Sequence, residues 1–139
     1  MNIDEKIEAI KKKFSSLSPI DKYNLLMEMG QKLPPYPPAF KLPDKQVKGC
    51  QSILYMHAEL VEGKVIFYAD GDALISKGLA ALLIGIYTNE TPQEILASSP
   101  LFLKEMGIFQ SLSPTRSNGL AQLFTRIRKE ANFFLTNKL

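Results

Sequence analysis

"QSILYMHAELVEGKVIFYA", residues 51–69, reads as two strand-like segments around a glycine turn. QSILYMHAEL (51–60) and VIFYA (65–69) are joined by VEGK (61–64), with Gly63 serving the turn of a β-hairpin. Side chains alternate along a strand. Leu54, Met56, Ala58 and Leu60 therefore share one face, and Ile53, Tyr55, His57 and Glu59 the other. The first face is the better candidate for the core. His57 is expected to be a partly exposed strand residue.

The chain on either side supplies the rest of the fold. "DGDALISKGLAALLIGIY" (70–87) reads as a helix running to about Tyr87, with Asp70 or Asp72 placed to cap it. It is apolar almost all round after Lys77, the pattern of a central buried helix. Gly78, Ala81 and Gly85 fall on one side, where another backbone can come close. Upstream, "KLPPYPPAFKLPDKQ" (32–46) holds five prolines and can be neither helix nor central strand. It reads as a stiff extended linker, a proline-rich loop at 33–46 leading to Cys50.

The remaining segments are helical. Ile3, Ile7, Ile10 and Phe14 form an apolar stripe, with Asp4 and Glu5 early and Lys11, Lys12 and Lys13 late, as the helix dipole favours. Ser18 and Pro19 start a second helix, with Ile20, Tyr23, Leu26 and Met27 on one face and Gly30 near its end. Thr91, Pro92 and Glu94 form a capping-box start, and SPLFLKEMG (99–107) is a short helix ended by Gly107. Ser113 and Pro114 open the last helix. Its stripe is Leu120, Leu123, Phe124, Ile127, Ala131, Phe134 and Leu135, and its solvated face carries Arg126, Arg128 and Lys129. The sum is one α+β domain over residues 1–139, a small antiparallel sheet with several helices packed on it.

Composition narrows the chemistry. The net charge of +3, from 17 basic and 14 acidic residues, is too small to argue for nucleic acid. The longest apolar run, GLAALLIGIY (78–87), is too short to cross a bilayer. The N-terminal segment reads as an amphipathic helix, not a signal peptide, and a lone cysteine fits a reducing compartment. A cytoplasmic protein with no membrane or nucleic-acid partner is expected. One cysteine and one histidine exclude a structural zinc site and an iron–sulfur cluster held by this chain alone, so no metal ligands are assigned. No P-loop is present. A Cys50–His57 hydrolase pair is disfavoured, because seven residues of extended chain separate the two by roughly 23 Å.

Cys50 is left as a lone thiol with two open readings. It is a small buried hydrophobe, or it is a reactive group. Gly49 allows unusual backbone angles and close approach of another molecule. The proline-stiffened loop is a place where binding chemistry tends to sit, and Lys48 favours the thiolate. Arg116 is similarly open. In the first turn of a helix a cation opposes the dipole by roughly 0.3–1 kcal/mol. It is either a badly placed surface residue or part of a rigid helix entrance that suits an anion or a partner's carboxylate.

Three motifs then occur in order: GCQS (49–52), KGLAALLIGIYTNETPQEI (77–95) and LSPTRSNGL (112–120). With LLMEMGQKLP (25–34), a helix ending in glycine before a Leu–Pro pair, they resemble the SufE family of sulfur acceptors (SufE/CsdE-like) over roughly residues 3–135. The resemblance implies the SufE/IscU-NifU-like fold. It implies cysteine desulfuration through a sulfur-transfer accessory protein, not an enzyme in its own right. Such a protein takes persulfide sulfur from a SufS-type cysteine desulfurase, stimulates its turnover as a SufS activator, and passes sulfur to the SufBCD scaffold for iron–sulfur cluster assembly. The pyridoxal phosphate belongs to the desulfurase, and no cofactor is implied for this chain. Cys50 would be the persulfide carrier. Gly49, Gln51, Ser52 and Arg116 would support its loop or meet the partner. Scaffolds of the related fold need three cysteines, which favours the carrier. The family often has tryptophan in the strand after GCQS, where Tyr55 stands here. The competing reading is a non-catalytic binding adaptor with Cys50 as structural filler.

Overall fold

The computed structural model describes residues 1–49 and 52–137. The central motif is a hairpin followed by a buried helix. Strand β1 (Leu54–Val61) pairs antiparallel with β2 (Lys64–Gly71), in register from Leu54 opposite Gly71 to Val61 opposite Lys64. Glu62 and Gly63 both take positive φ, 51° and 80°, as a tight two-residue hairpin turn requires. Helix α3 (Leu74–Tyr87) packs its mostly buried length beneath the sheet. Leu54, Met56 and Ala58 are buried on that side with Val65, Phe67 and Ala69, the face expected from the alternation.

Helices surround this motif. They are α1 (Ile3–Ser15), α2 (Pro19–Gln31), α4 (Pro92–Ala97), α5 (Leu101–Glu105) and the long α6 (Pro114–Thr136). The result is an α+β architecture in which the described sheet has two strands. Ser18, Thr91 and Ser113 each accept a main-chain N–H at a helix start, each followed by proline. Asn2 and Glu5 add a full capping box to α1. No described helix is long and apolar enough to cross a membrane.

Close packing of α2 on α3 sets the core. A Cβ on Gly30 would lie 2.7 Å from both the Gly78 nitrogen and the Leu74 oxygen, and one on Gly78 would strike the Leu26 carbonyl. Gly78 thus has the close backbone neighbour expected of it, whereas nothing lies within 4 Å of the same point on Gly85. The buried positions of α2 are Lys22, Leu26 and Gly30, four residues apart. Ile20 falls off that row and is 73% exposed, against expectation.

Three further expectations are corrected. Neither Asp70 nor Asp72 caps α3. Strand β2 continues to Gly71, and the cap position falls on Ala73, with no side-chain bond. Asp70 instead pairs with Lys41 at 3.0 Å and Lys77 at 3.7 Å. Burial alone would raise its carboxyl. The Lys41 hydrogen bond, the Gly71 amide and the two ammonium charges outweigh that and hold it below the ordinary value. Arg128 is not simply solvated, for it donates to the carbonyls of Leu96 (2.8 Å) and Ser98 (3.4 Å).

His57 is the third. It is only 6% exposed. The proline-rich segment crosses the outer sheet face as a strap, through short 3-10 turns at Pro38–Phe40 and Pro43–Lys45. Its Phe40 ring stacks on His57 at 3.7 Å and 10°, and its Tyr36 ring lies 6.1 Å from Tyr55. Tyr36 donates its hydroxyl to the Phe40 carbonyl at 2.8 Å, and burial pushes that hydroxyl's pKa up to about 12. The aromatic at position 55 therefore keeps a packing partner.

Gly78→Ala should lower stability by about 2–3 kcal/mol, because the new methyl meets backbone, which cannot rotate aside. Urea unfolding followed by circular dichroism measures this, and an unchanged midpoint would contradict the close crossing.

Candidate functional site

The site lies where the hairpin entrance, α3 and the N-terminal end of α6 meet. Ser113 caps α6 by accepting the Arg116 N–H at 3.2 Å, and Pro114 fixes the first turn. This rigid start aims the Arg116 side chain inward. Its Nη1 donates to Ser52 Oγ and Ser76 Oγ, each at 2.7 Å, and Ser76 Oγ donates to Ser52 Oγ at 3.3 Å. Ser76, on α3, is 3% exposed. Hydrogen bonds from a charged donor are stronger than neutral ones, and buried hydroxyls need partners. The guanidinium thus joins three elements, and it outweighs the small penalty of a cation near the helix N-terminus.

Beneath this contact is a cavity of about 10 Å³, with Leu54, Leu79 and Leu123 as its apolar wall and Ser76 and Arg116 at its polar side. It has room for roughly one water-sized group.

The loop between Val47 and Leu54 is closed at its base. Val47 donates its N–H to the Leu54 carbonyl at 2.8 Å, and Gln46 forms an antiparallel bridge with Tyr55. Gly49 takes φ 84°, in the left-handed region, and its carbonyl accepts from Asn118 Nδ2 at 3.1 Å. A Cβ there would lie 2.8 Å from Gln122 Cγ. Gly49 does have the unusual backbone angles expected, but the close neighbour is this protein's own α6. Cys50 and Gln51 lie outside the described residues. The residues on either side of them, Gly49 and Ser52, are each hydrogen-bonded by a side chain from the first turns of α6, Asn118 and Arg116.

Arg126, expected on a solvated face, is also engaged. It donates from Nη1 to the Gln46 carbonyl (3.2 Å), from Nη2 to the Asp44 carbonyl (3.0 Å) and from Nε to Glu130 Oε1 (2.9 Å). Ser76, Asn118, Gln122 and Arg126 are all neighbours of the site that sequence reasoning did not single out. A signal existed for three of them: Asn118, Gln122 and Arg126 recur every four residues beside the apolar stripe of α6. His57 faces elsewhere. Its Nε2 lies 3.2 Å from Glu59 Oε1, and its ring is covered by Phe40. Among the described residues, no three His, Cys, Asp or Glu side chains are grouped to hold a metal ion.

Known proteins share this arrangement of chain. The SufE family model, described as an Fe-S metabolism associated domain, matches residues 8–131. An uncharacterized SufE-like protein of Synechocystis sp. is 38% identical over 116 residues, covering 84% of this chain and 73% of that protein. "SufE-like protein 1, chloroplastic/mitochondrial" of Arabidopsis thaliana is 38% identical over 128 residues, covering 91% of this chain and 34% of that protein. The chain therefore spans about a third of the plant relative. The solution structure of a hypothetical protein from Thermus thermophilus superposes with a TM-score of 0.81 at 29% identity, covering 95% of this chain and 97% of that one.

Arg116→Ala and Ser76→Ala should be coupled by about 1 kcal/mol in a double-mutant cycle of unfolding free energies, since each removes one end of the same bond. Additive effects would contradict the shared contact.

Proposed function

The chain belongs to the SufE family, and on that footing we propose that it is a sulfur acceptor working through Cys50. The observation that carries the proposal is the clasp around residues 50 and 51. Asn118 fixes the Gly49 carbonyl, Arg116 fixes Ser52, and both come from the motif LSPTRSNGL. Such a clasp fixes the two flanking residues, Gly49 and Ser52, from one helix.

The donor is a SufS-type cysteine desulfurase carrying a cysteine persulfide. Its pyridoxal phosphate liberates the sulfur, and this chain supplies no cofactor. The Cys50 thiolate attacks the terminal sulfur of the donor's Cys–S–SH. A new S–S bond forms on Cys50, the donor's S–S bond breaks, and the donor cysteine leaves as thiolate. One bond replaces another and the net charge is unchanged, so no oxidant or reductant is needed.

With no second cysteine in the chain, the persulfide meets no internal thiol that would discharge it as a disulfide and sulfide. The cavity beneath Arg116 is of atomic size and mainly apolar, suited to keeping one sulfur from water. Gly49, Gln51, Ser52 and Arg116 support the loop and meet the partner. The loaded sulfur passes to a SufBCD scaffold for iron–sulfur cluster assembly, in the cytoplasm.

Cys50→Ser should still bind the desulfurase by titration calorimetry, yet should abolish stimulation of its turnover. Unchanged stimulation would overturn the carrier reading in favour of an adaptor.

A further inference from the structure

We propose that Arg126 is a positioning residue for the sulfur-carrying loop, a latch on its inbound arm. The functional half of this inference rests on the acceptor reading above, and the structural half does not.

The arm that leads to Cys50 has few ways to anchor itself. Prolines at 34, 35, 37, 38 and 43 carry no N–H. Beside the main-chain bridge of Gln46 with Tyr55, its fixings are side chains: Phe40 on His57, Lys41 to Asp70, and last before the loop, Arg126. Arg126 is 13% exposed at its side chain, and its planar fork serves three acceptors at once. Two are main-chain carbonyls of the arm, Asp44 and Gln46. The third, Glu130, sits one turn further along α6 and holds the guanidinium in plane.

The next residue after Gln46 is Val47, whose N–H closes the loop on Leu54. The latch therefore acts at the hinge of the loop. Arg116 holds the outbound side, and ten residues along a helix separate the two arginines by about 15 Å. Both ends of the loop are thus set from one rigid rail. The latched arm also forms one wall of an open cleft of about 360 Å³ beside Gly49, with Gln122, Thr125 and Lys129 as its floor. Its shape depends on the latch.

A lysine carries the charge but not the fork, so it cannot hold two carbonyls and a carboxylate in one plane. In Arg126→Lys, hydrogen exchange at the Val47 amide should accelerate by about tenfold or more, the loss of roughly one charge-assisted bond. Amides of α3 should stay within about twofold. The concentration giving half-maximal stimulation of the cognate desulfurase should rise about three- to tenfold, with saturating turnover within about twofold. Glu130→Gln keeps the acceptor and should match wild type in both measures. Glu130→Ala should speed Val47 exchange by about two- to threefold, and it gives the answer if Arg126→Lys does not fold.

Unchanged Val47 exchange in the folded variants, or an equal acceleration in α3, would overturn the latch. So would an unchanged half-maximal concentration beside a wild type that does stimulate. A wild type that stimulates no desulfurase would instead refute the acceptor reading, and Val47 exchange would decide the latch alone.

Discussion

One guanidinium group between two serine hydroxyls holds the site together. Arg116 reaches from the start of α6 to Ser52, at the mouth of the hairpin, and to Ser76, inside α3. Three elements distant in sequence thereby share one polar contact in an otherwise apolar neighbourhood. The low local dielectric strengthens such a bond and makes its loss costly. The contact requires α3 to lie deep in the fold, and the glycine crossing with α2 provides that depth. It also requires a rigid helix start, which Ser113 and Pro114 provide.

The strap and the loop form one mechanical unit. Residues 32–46 cover the outer sheet face, bury His57 and end at the arm held by Arg126. Proline removes main-chain donors, so side chains carry the anchoring. Chain stiffness limits the paths by which the segment enters the loop, and Gly49 supplies the left-handed turn at its end. On either side of positions 50 and 51, Gly49 is held by Asn118 and Ser52 by Arg116.

Much of this was legible in the sequence, where signals are local. Ser18–Pro19, Thr91–Pro92 and Ser113–Pro114 mark helix starts through bonds made within three residues. The alternation at 54–58 fixed the buried sheet face, because one face must leave water. Other features are set from far away. The cover over His57 comes from Phe40, which no period-two pattern reports. Arg126 binds carbonyls some 80 residues away, and every residue has a carbonyl, so no motif marks the acceptors. Arg116 was suspect because a cation at a helix start is mildly unfavourable. Its partner hydroxyls emerge only once α3 and the hairpin are placed. Asp70 looked like a cap, but strand pairing extended to Gly71 and left it to the lysines.

The central claim is that sulfur resides on Cys50. The most direct measurement is a mass spectrum of the Cys50-containing peptide after the full chain is incubated with its cognate desulfurase and free cysteine. The account predicts a gain of roughly 32 Da for each sulfur atom bound, lost on treatment with a thiol reductant. A Cys50 peptide that remains an unmodified thiol beside an active, persulfide-bearing desulfurase would contradict it.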